Sequence, residues 1–169
     1  GIDIDDSVSY NTWLTTHQPF HWFVEFYGIL SKGGFDVVIG NPPYVRYRER
    51  NFEYRIHKNT YNTFISKNLY SFVYERSKIL SREKSWLGLI IQISSVSTPS
   101  MDTMCKEICS NSKLVFLSHY ATRPASLFEG VTMNLTIVIS SNNWESMPIV
   151  KSTNYQRWRS EVRENLENQ

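Results

Sequence analysis

The chain has 169 residues, 41% of them hydrophobic and 14% aromatic, and a formal net charge of +2. That length supports one sizeable core rather than two domains, and the near-neutral balance excludes a global polycation, so any contact with nucleic acid must be local. No apolar run approaches the roughly 20 residues of a bilayer span, and no basic region followed by an apolar stretch opens the chain, which points to a cytoplasmic protein without membrane contact.

Residues 1–18 are polar, carry Asp3, Asp5 and Asp6, and read as a linker or a truncated end. Residues 22–30 are densely apolar and predict one short helix, with His21 packed beside Trp22. Residues 36–39 predict a buried strand, in which Asp36, at the start, reads as structural rather than as an acid or base. The strand runs through Gly40 into Asn41-Pro42-Pro43-Tyr44. Proline has no N–H to donate and fixes its own φ, so the chain must turn out of the sheet there. Residues 44–65 lack a clean period, and their length suggests a functional loop.

Leu69, Phe72, Val73 and Leu80 mark one face of a helix over residues 66–80, and residues 86–93 predict a buried strand in which Gly88 permits close approach of another backbone. Thr98 as N-cap, Pro99 at the first helical position and Asp102 in the first turn predict the next helix. Its Met101, Met104, Cys105 and Ile108 share a face, so Cys105 and Cys109 read as core thiols. Residues 114–117 and 135–139 read as two further strands, the second being the last, with a loop over 121–132 between them. Beyond Asn142 the chain turns polar, with Trp158, Val162 and Leu166 as a weak helical stripe. His17, His21, His57 and His119 lack the short spacings of a metal motif, and no metal is expected.

The turn after the first strand carries the chemistry. An exocyclic amine on a heteroaromatic ring is a poor nucleophile because its lone pair is delocalised into the ring. If the side-chain oxygen of Asn41 and the carbonyl of Pro42 accept the two N–H bonds, the lone pair is localised and can meet an electrophile. Pro43 stiffens the turn and Tyr44 offers a face for the ring to stack on. Downstream, Arg46, Arg48, Arg50, Arg55 and Lys58 are interleaved with Tyr47, Phe52, Tyr54 and Tyr61. Two readings stand for this stretch: phosphate contacts with aromatics supporting a displaced base, or a solvated loop with its aromatics packed back on the domain.

At Asn41-Pro42-Pro43-Tyr44 the chain resembles the adenine-N6 DNA methyltransferases. Pro19-Phe20-His21-Trp22, Glu25-Phe26 and Gly33-Gly34-Phe35-Asp36 before it resemble the large single-chain restriction–modification enzymes. So do Asn68-Leu69-Tyr70, Arg123-Pro124 and Leu127-Phe128-Glu129-Gly130-Val131 after it. The resemblance runs from about Pro19 to about Ile139. It implies an α/β, partial Rossmann-like methyltransferase fold, an open mixed sheet with flanking helices, over residues 19–142, with 143–169 as a polar tail. It implies S-adenosylmethionine as cofactor and double-stranded DNA with a flipped adenine as partner. Asn41, Pro42 and Tyr44 become catalytic residues, and Pro43 and Phe128 substrate-binding ones, with Phe128 against the base opposite Tyr44 or, on the plainer reading, anchoring its loop.

Two departures from the family pattern bear on the cofactor. The Gly-rich turn that builds its pocket is absent, because Gly33-Gly34 precedes a strand instead of following one. Val73 also stands where many relatives carry Phe near the cofactor. A further departure, Ser81-Arg82-Glu83-Lys84-Ser85 in place of glycines, reads as a reshaped exposed turn. The chain is thus expected to be the C-terminal half of a catalytic domain whose partner is the missing N-terminal half of the same protein. A non-catalytic nucleic-acid-binding remnant, and a protein or RNA methyltransferase using the same four residues, remain as alternatives.

Overall fold

The computed structural model describes residues 5–18, 20–52, 54–109, 112–143 and 147–162. They fall into two compact units, Gly1–Gly34 and Phe35–Gln169.

The first unit is helical. Helix α1 (Ser7–His17) occupies the stretch expected to be a linker. Asp6 caps it by accepting the Val8 N–H at 3.1 Å, and Thr12 and Thr15 donate their hydroxyls to carbonyls one turn back. Its sequence has no apolar stripe, so periodicity gave no warning of it. The single helix expected over 22–30 is two turns, α2 (Trp22–Glu25) and α3 (Tyr27–Leu30), broken at Phe26. His21 lies 6.0 Å from the Phe23 ring rather than against Trp22, which instead stacks on Phe26 at 5.5 Å. Gly33 and Gly34, at φ 101° and 112°, take conformations that side-chain-bearing residues avoid.

The second unit is a five-stranded sheet in the order β1-β2-β4-β3-β5. The strands are β1 (Phe35–Gly40), β2 (Ser81–Gln92), β3 (Leu114–Tyr120), β4 (Leu135–Ser141) and β5 (Ile149–Ser152). Strands β1 and β2 are parallel, as are β3 and β5, whereas β4 lies antiparallel between β2 and β3. Four strands therefore point the same way, and the loops after β1, β2, β3 and β5 leave from one edge. Strand β5 was not foreseen, because Ile149–Ser152 is short and mostly exposed. Helix α4 (Leu69–Leu80) passes directly into β2, where Ser81 pairs with Phe35 and Trp86 with Val37, so the stretch expected as a turn is a break in register over residues 82–85.

One face of the sheet holds the core. Leu87, Leu89 and Ile91 of β2, Val115 and Leu117 of β3 and Val138 of β4 pack with Tyr70 and Tyr74 of α4. Met101 joins them, as do Met104 and Ile108 of helix α6 (Asp102–Cys109), which follows the short helix α5 (Ser94–Ser97) and the Pro99–Met101 turn. Val38 joins this face from β1, so by alternation Val37 and Ile39 point the other way. There Ile39 pairs in register with Gly88, Gly88 with Ile139 and Ile139 with Phe116, and Ile39 is 80% exposed. Among the described residues a Cβ added at Gly88 would meet nothing within 4 Å, so the close approach over this face that its missing side chain permits is not used. Trp158 is buried edge-on against Tyr120, Ser160–Val162 forms a single turn, and Leu166 lies outside the described residues. No helix among the described residues is long and apolar enough to cross a membrane.

Candidate active site

Asn41 leaves the carboxyl end of β1 one residue after Gly40, which pairs with Leu89. Proline at 42 and 43 ends the ladder, and the chain is recaptured two residues after Tyr44. The Leu69 N–H donates to Val45 O at 2.9 Å and the Tyr47 N–H to Lys67 O at 2.7 Å, forming an antiparallel bridge between Arg46 and Asn68. The four residues are thus held at both ends, by the sheet and by the segment that opens α4. Asn41 and Pro43 are exposed, Pro42 is buried and Tyr44 is half-buried.

Tyr44 and Asn41 meet directly. The Tyr44 hydroxyl donates to Asn41 Oδ1 at 2.5 Å and also lies 3.1 Å from the Ile90 carbonyl. It has one proton, so the two acceptors compete for it. Burial pushes the Tyr44 phenol above its ordinary value, which keeps it a donor at neutral pH. Its ring packs on the core and edge-on against Tyr70, with centroids 6.4 Å apart. The contact orients the Asn41 amide so that Oδ1 is fixed, and an amide oxygen with two lone pairs keeps one for a second donor.

Phe128 lies in the 121–134 connection that leaves the same sheet edge after β3. It is 38% exposed, and its carbonyl accepts the Ser126 hydroxyl at 2.5 Å. Across the order β1-β2-β4-β3, β1 and β3 stand three inter-strand spacings apart, about 14 Å. Among the described residues no ring contact joins Phe128 to Tyr44, so the two aromatics share an edge without touching.

In the basic, aromatic stretch most of the aromatics are packed on the domain. Tyr47 is buried, stacks on Phe52 at 5.3 Å and meets Phe72 edge-on, while Tyr61 stacks on Phe72 at 5.2 Å. The Tyr47 hydroxyl accepts the Ile56 N–H at 2.8 Å. These rings are committed to the domain; only Tyr54 stands well out, and Arg55 is paired with Glu49. Arg46, Arg48, Arg50 and Lys58 are exposed. Asp36 is paired with Arg82 at 2.8 Å, in keeping with a structural role.

One buried acid escaped the sequence reading. Glu75 of α4 accepts the Asn62 N–H at 2.8 Å and the Thr63 N–H and hydroxyl at 3.0 and 2.9 Å. It pins the far end of the long loop that begins at Tyr44. The only signal was a charged residue one turn after Ser71 on the inward side of the helix. Cys105 and Cys109 are free and half-buried, and burial, then the neighbouring Cys105, pushes the Cys109 thiol up. No three His, Cys, Asp or Glu side chains among the described residues are grouped to hold a metal.

The chain matches the model of the Eco57I restriction-modification methylase family over residues 3–128. It is 30% identical over 128 residues to a Methanocaldococcus jannaschii protein described as a type II restriction enzyme and methyltransferase, covering 72% of this chain and 10% of that one. Among solved structures it is similar to a nuclease-deletion mutant of the Type ISP restriction-modification enzyme LlaGI in complex with a DNA substrate mimic. There the TM-score is 0.64 at 14% identity, over 86% of this chain and 17% of that one. It also resembles a Listeria monocytogenes protein described as a class I S-adenosylmethionine-dependent methyltransferase, with a TM-score of 0.50 at 14% identity over 73% and 37% of the two chains. The sheet is therefore of the class I methyltransferase type, and the chain spans about a tenth of the curated relative it matches.

Proposed function

This chain belongs to the Eco57I restriction-modification methylase family, and from that premise we propose that it is the substrate-side half of a DNA adenine-N6 methyltransferase. The observation that carries the reading is the Asn41 Oδ1 atom, held at the carboxyl end of β1 by the Tyr44 hydroxyl. Ligands of open α/β sheets bind at this edge. With Oδ1 and the Pro42 carbonyl accepting the two hydrogens of the adenine amine, the lone pair is withdrawn from the ring and becomes available to a methyl donor.

S-adenosylmethionine supplies the methyl group in this reading, but the residues present do not form its pocket. Gly33 and Gly34 lie ahead of β1, whereas a cofactor turn leaves a strand and opens a helix. The donor site is assigned to another part of a longer polypeptide. Two features support that division: among the described residues β1 is an edge strand, and its Val37 and Ile39 side chains are exposed. The unpaired backbone of an edge strand invites a partner strand, and the exposed apolar face invites a covering layer.

Calorimetric titration with S-adenosylmethionine tests the division. The 169-residue chain should bind weakly or not at all, and a version extended upstream should bind; micromolar affinity in the short form would overturn the two-half reading. Mass analysis of DNA treated with the extended form should find N6-methyladenine. A methylated cytosine, or methyl transfer to protein or RNA alone, would reassign the substrate.

Extraction of the base from the duplex costs about a few kcal/mol, and aromatic contacts return part of it. Alanine at Tyr44 or Phe128 should weaken duplex binding by about 1–3 kcal/mol, and by less when the target adenine has no pairing partner. The fluorescence of 2-aminopurine at the target should rise with the extended protein and drop in both variants. An unchanged rise in Phe128→Ala would leave that residue as a loop anchor.

A further inference from the structure

A hollow opens along the same sheet edge, beyond β3. It holds about 680 Å³, and its lining includes Thr122, Arg123, Thr132, Asn134 and Arg157. Its walls come from two distant segments, the 121–134 connection and the chain after β5. Backbone bonds tie them together: the Ala121 N–H donates to Gln156 O at 2.9 Å and the Ala125 N–H to Trp158 O at 3.1 Å. Trp158, 8% exposed, anchors the second wall against Tyr120 at 5.3 Å. The hollow is therefore a consequence of the fold rather than of one loop.

Its chemistry is one-sided. Among the described residues of the lining, Arg123 and Arg157 are the charged groups, and no carboxylate accompanies them. Asn134 spends its Oδ1 on the Thr122 N–H at 2.9 Å, which leaves its NH₂ as a donor. Arg157 lies over the Tyr155 ring at 5.5 Å, which restrains its guanidinium. Two guanidinium forks, an amide NH₂ and two threonine hydroxyls suit an anion with several acceptor oxygens, and guanidinium geometry matches phosphate bidentately.

We propose that this hollow is a phosphate subsite, holding a backbone phosphodiester of the DNA strand whose adenine enters the Asn41 site. The choice of DNA as the polyanion rests on the methyltransferase reading; the anion chemistry does not. The hollow stands at the β3 and β5 end of the edge and Asn41 at the β1 end, a span of at least about 14 Å at the inter-strand spacing. A strand rising about 3.4 Å per nucleotide covers that in roughly four steps. The subsite would thus fix the strand a few nucleotides from the extruded base, a positioning contact without sequence content.

The test follows the arginine Nε–H resonances of the full chain by NMR, with three probes: inorganic phosphate, a short single-stranded oligodeoxynucleotide, and the same oligonucleotide with uncharged methylphosphonate linkages. Arg123 and Arg157 should respond to the first two and not to the third. Arg157→Gln should weaken oligonucleotide binding about tenfold and lower the slope of log affinity against log salt by about 1. Thr132→Asp, which places a carboxylate at an exposed lining position, should do the same and carries the test if Arg157→Gln disturbs the fold. Equal binding of the uncharged oligonucleotide, or unchanged affinity and slope in a folded variant, would overturn the proposal. Phosphate binding without an oligonucleotide response would make this a free-anion site and overturn its DNA role. A wrong methyltransferase assignment would show separately, as absent N6-methyladenine product beside intact arginine responses.

Discussion

In the extended protein, Asn41→Ala should slow single-turnover methyl transfer to adenine by about 10²–10³-fold, the usual cost of removing one preorganised hydrogen-bonding group from the reacting centre. The structure makes the preorganisation concrete. Asn41 Oδ1 is oriented by the Tyr44 hydroxyl at 2.5 Å, and the turn is clamped by the Arg46–Asn68 bridge on one side and the Gly40–Leu89 pairing on the other. Alanine removes the acceptor while leaving the backbone turn to its two prolines, so DNA affinity should change little. Tyr44→Phe separates orientation from acceptance. It keeps the ring and the acceptor but loses one neutral hydrogen bond, worth about 1 kcal/mol, and should slow transfer only about fivefold. Near-wild-type rates in Asn41→Ala would remove Asn41 from the mechanism; equal losses in both variants would mean that the hydroxyl does more than orient the amide.

The parts of this fold legible in the sequence are those whose cause is local. The strands at Asp36, Leu87, Val115 and Leu135 announce themselves by apolar runs, and α4 and α6 by a stripe of period 3.6, because burial on one face leaves that trace. The turn at Asn41 was legible because two prolines after a strand permit little else. What escaped depends on neighbours distant in sequence. Strand β5 exists because its backbone completes the ladder of β3, for which Ile149–Ser152 needs no distinctive side chains. Residues 81–85 join β2 although they are polar, because Phe35 pairs with Ser81 and Val37 with Trp86 across a break in register. Tyr47 and Tyr61 could serve a base or a core equally well until Phe72 is seen between them. Arg157, in a stretch read as polar tail, reaches a site only because Gln156 and Trp158 are tied to Ala121 and Ala125.

Glu75 gives the second large effect, on order rather than on chemistry. Its carboxylate satisfies two backbone N–H groups and one hydroxyl of Asn62 and Thr63, and Thr63 is fully buried. No other bond to these donors is found among the described residues, so Glu75→Ala strands them. Each buried donor left unsatisfied costs about 1–3 kcal/mol, of which local opening and entering water recover part. A net loss of about 3 kcal/mol should speed amide hydrogen exchange at Asn62 and Thr63 roughly 100-fold, while Leu89 and Val138 in the sheet stay protected. Glu75→Gln should fall between wild type and alanine, because its oxygen can keep the two Thr63 donors while its NH₂ faces the Asn62 N–H. With its far end released, the loop that begins at Tyr44 should become a site of proteolytic nicking between residues 48 and 62, where the chain is mostly exposed. Unchanged exchange at Asn62 and Thr63 in Glu75→Ala would mean that the aromatic packing of Tyr47, Tyr61 and Phe72 alone holds the loop, and that the carboxylate is dispensable.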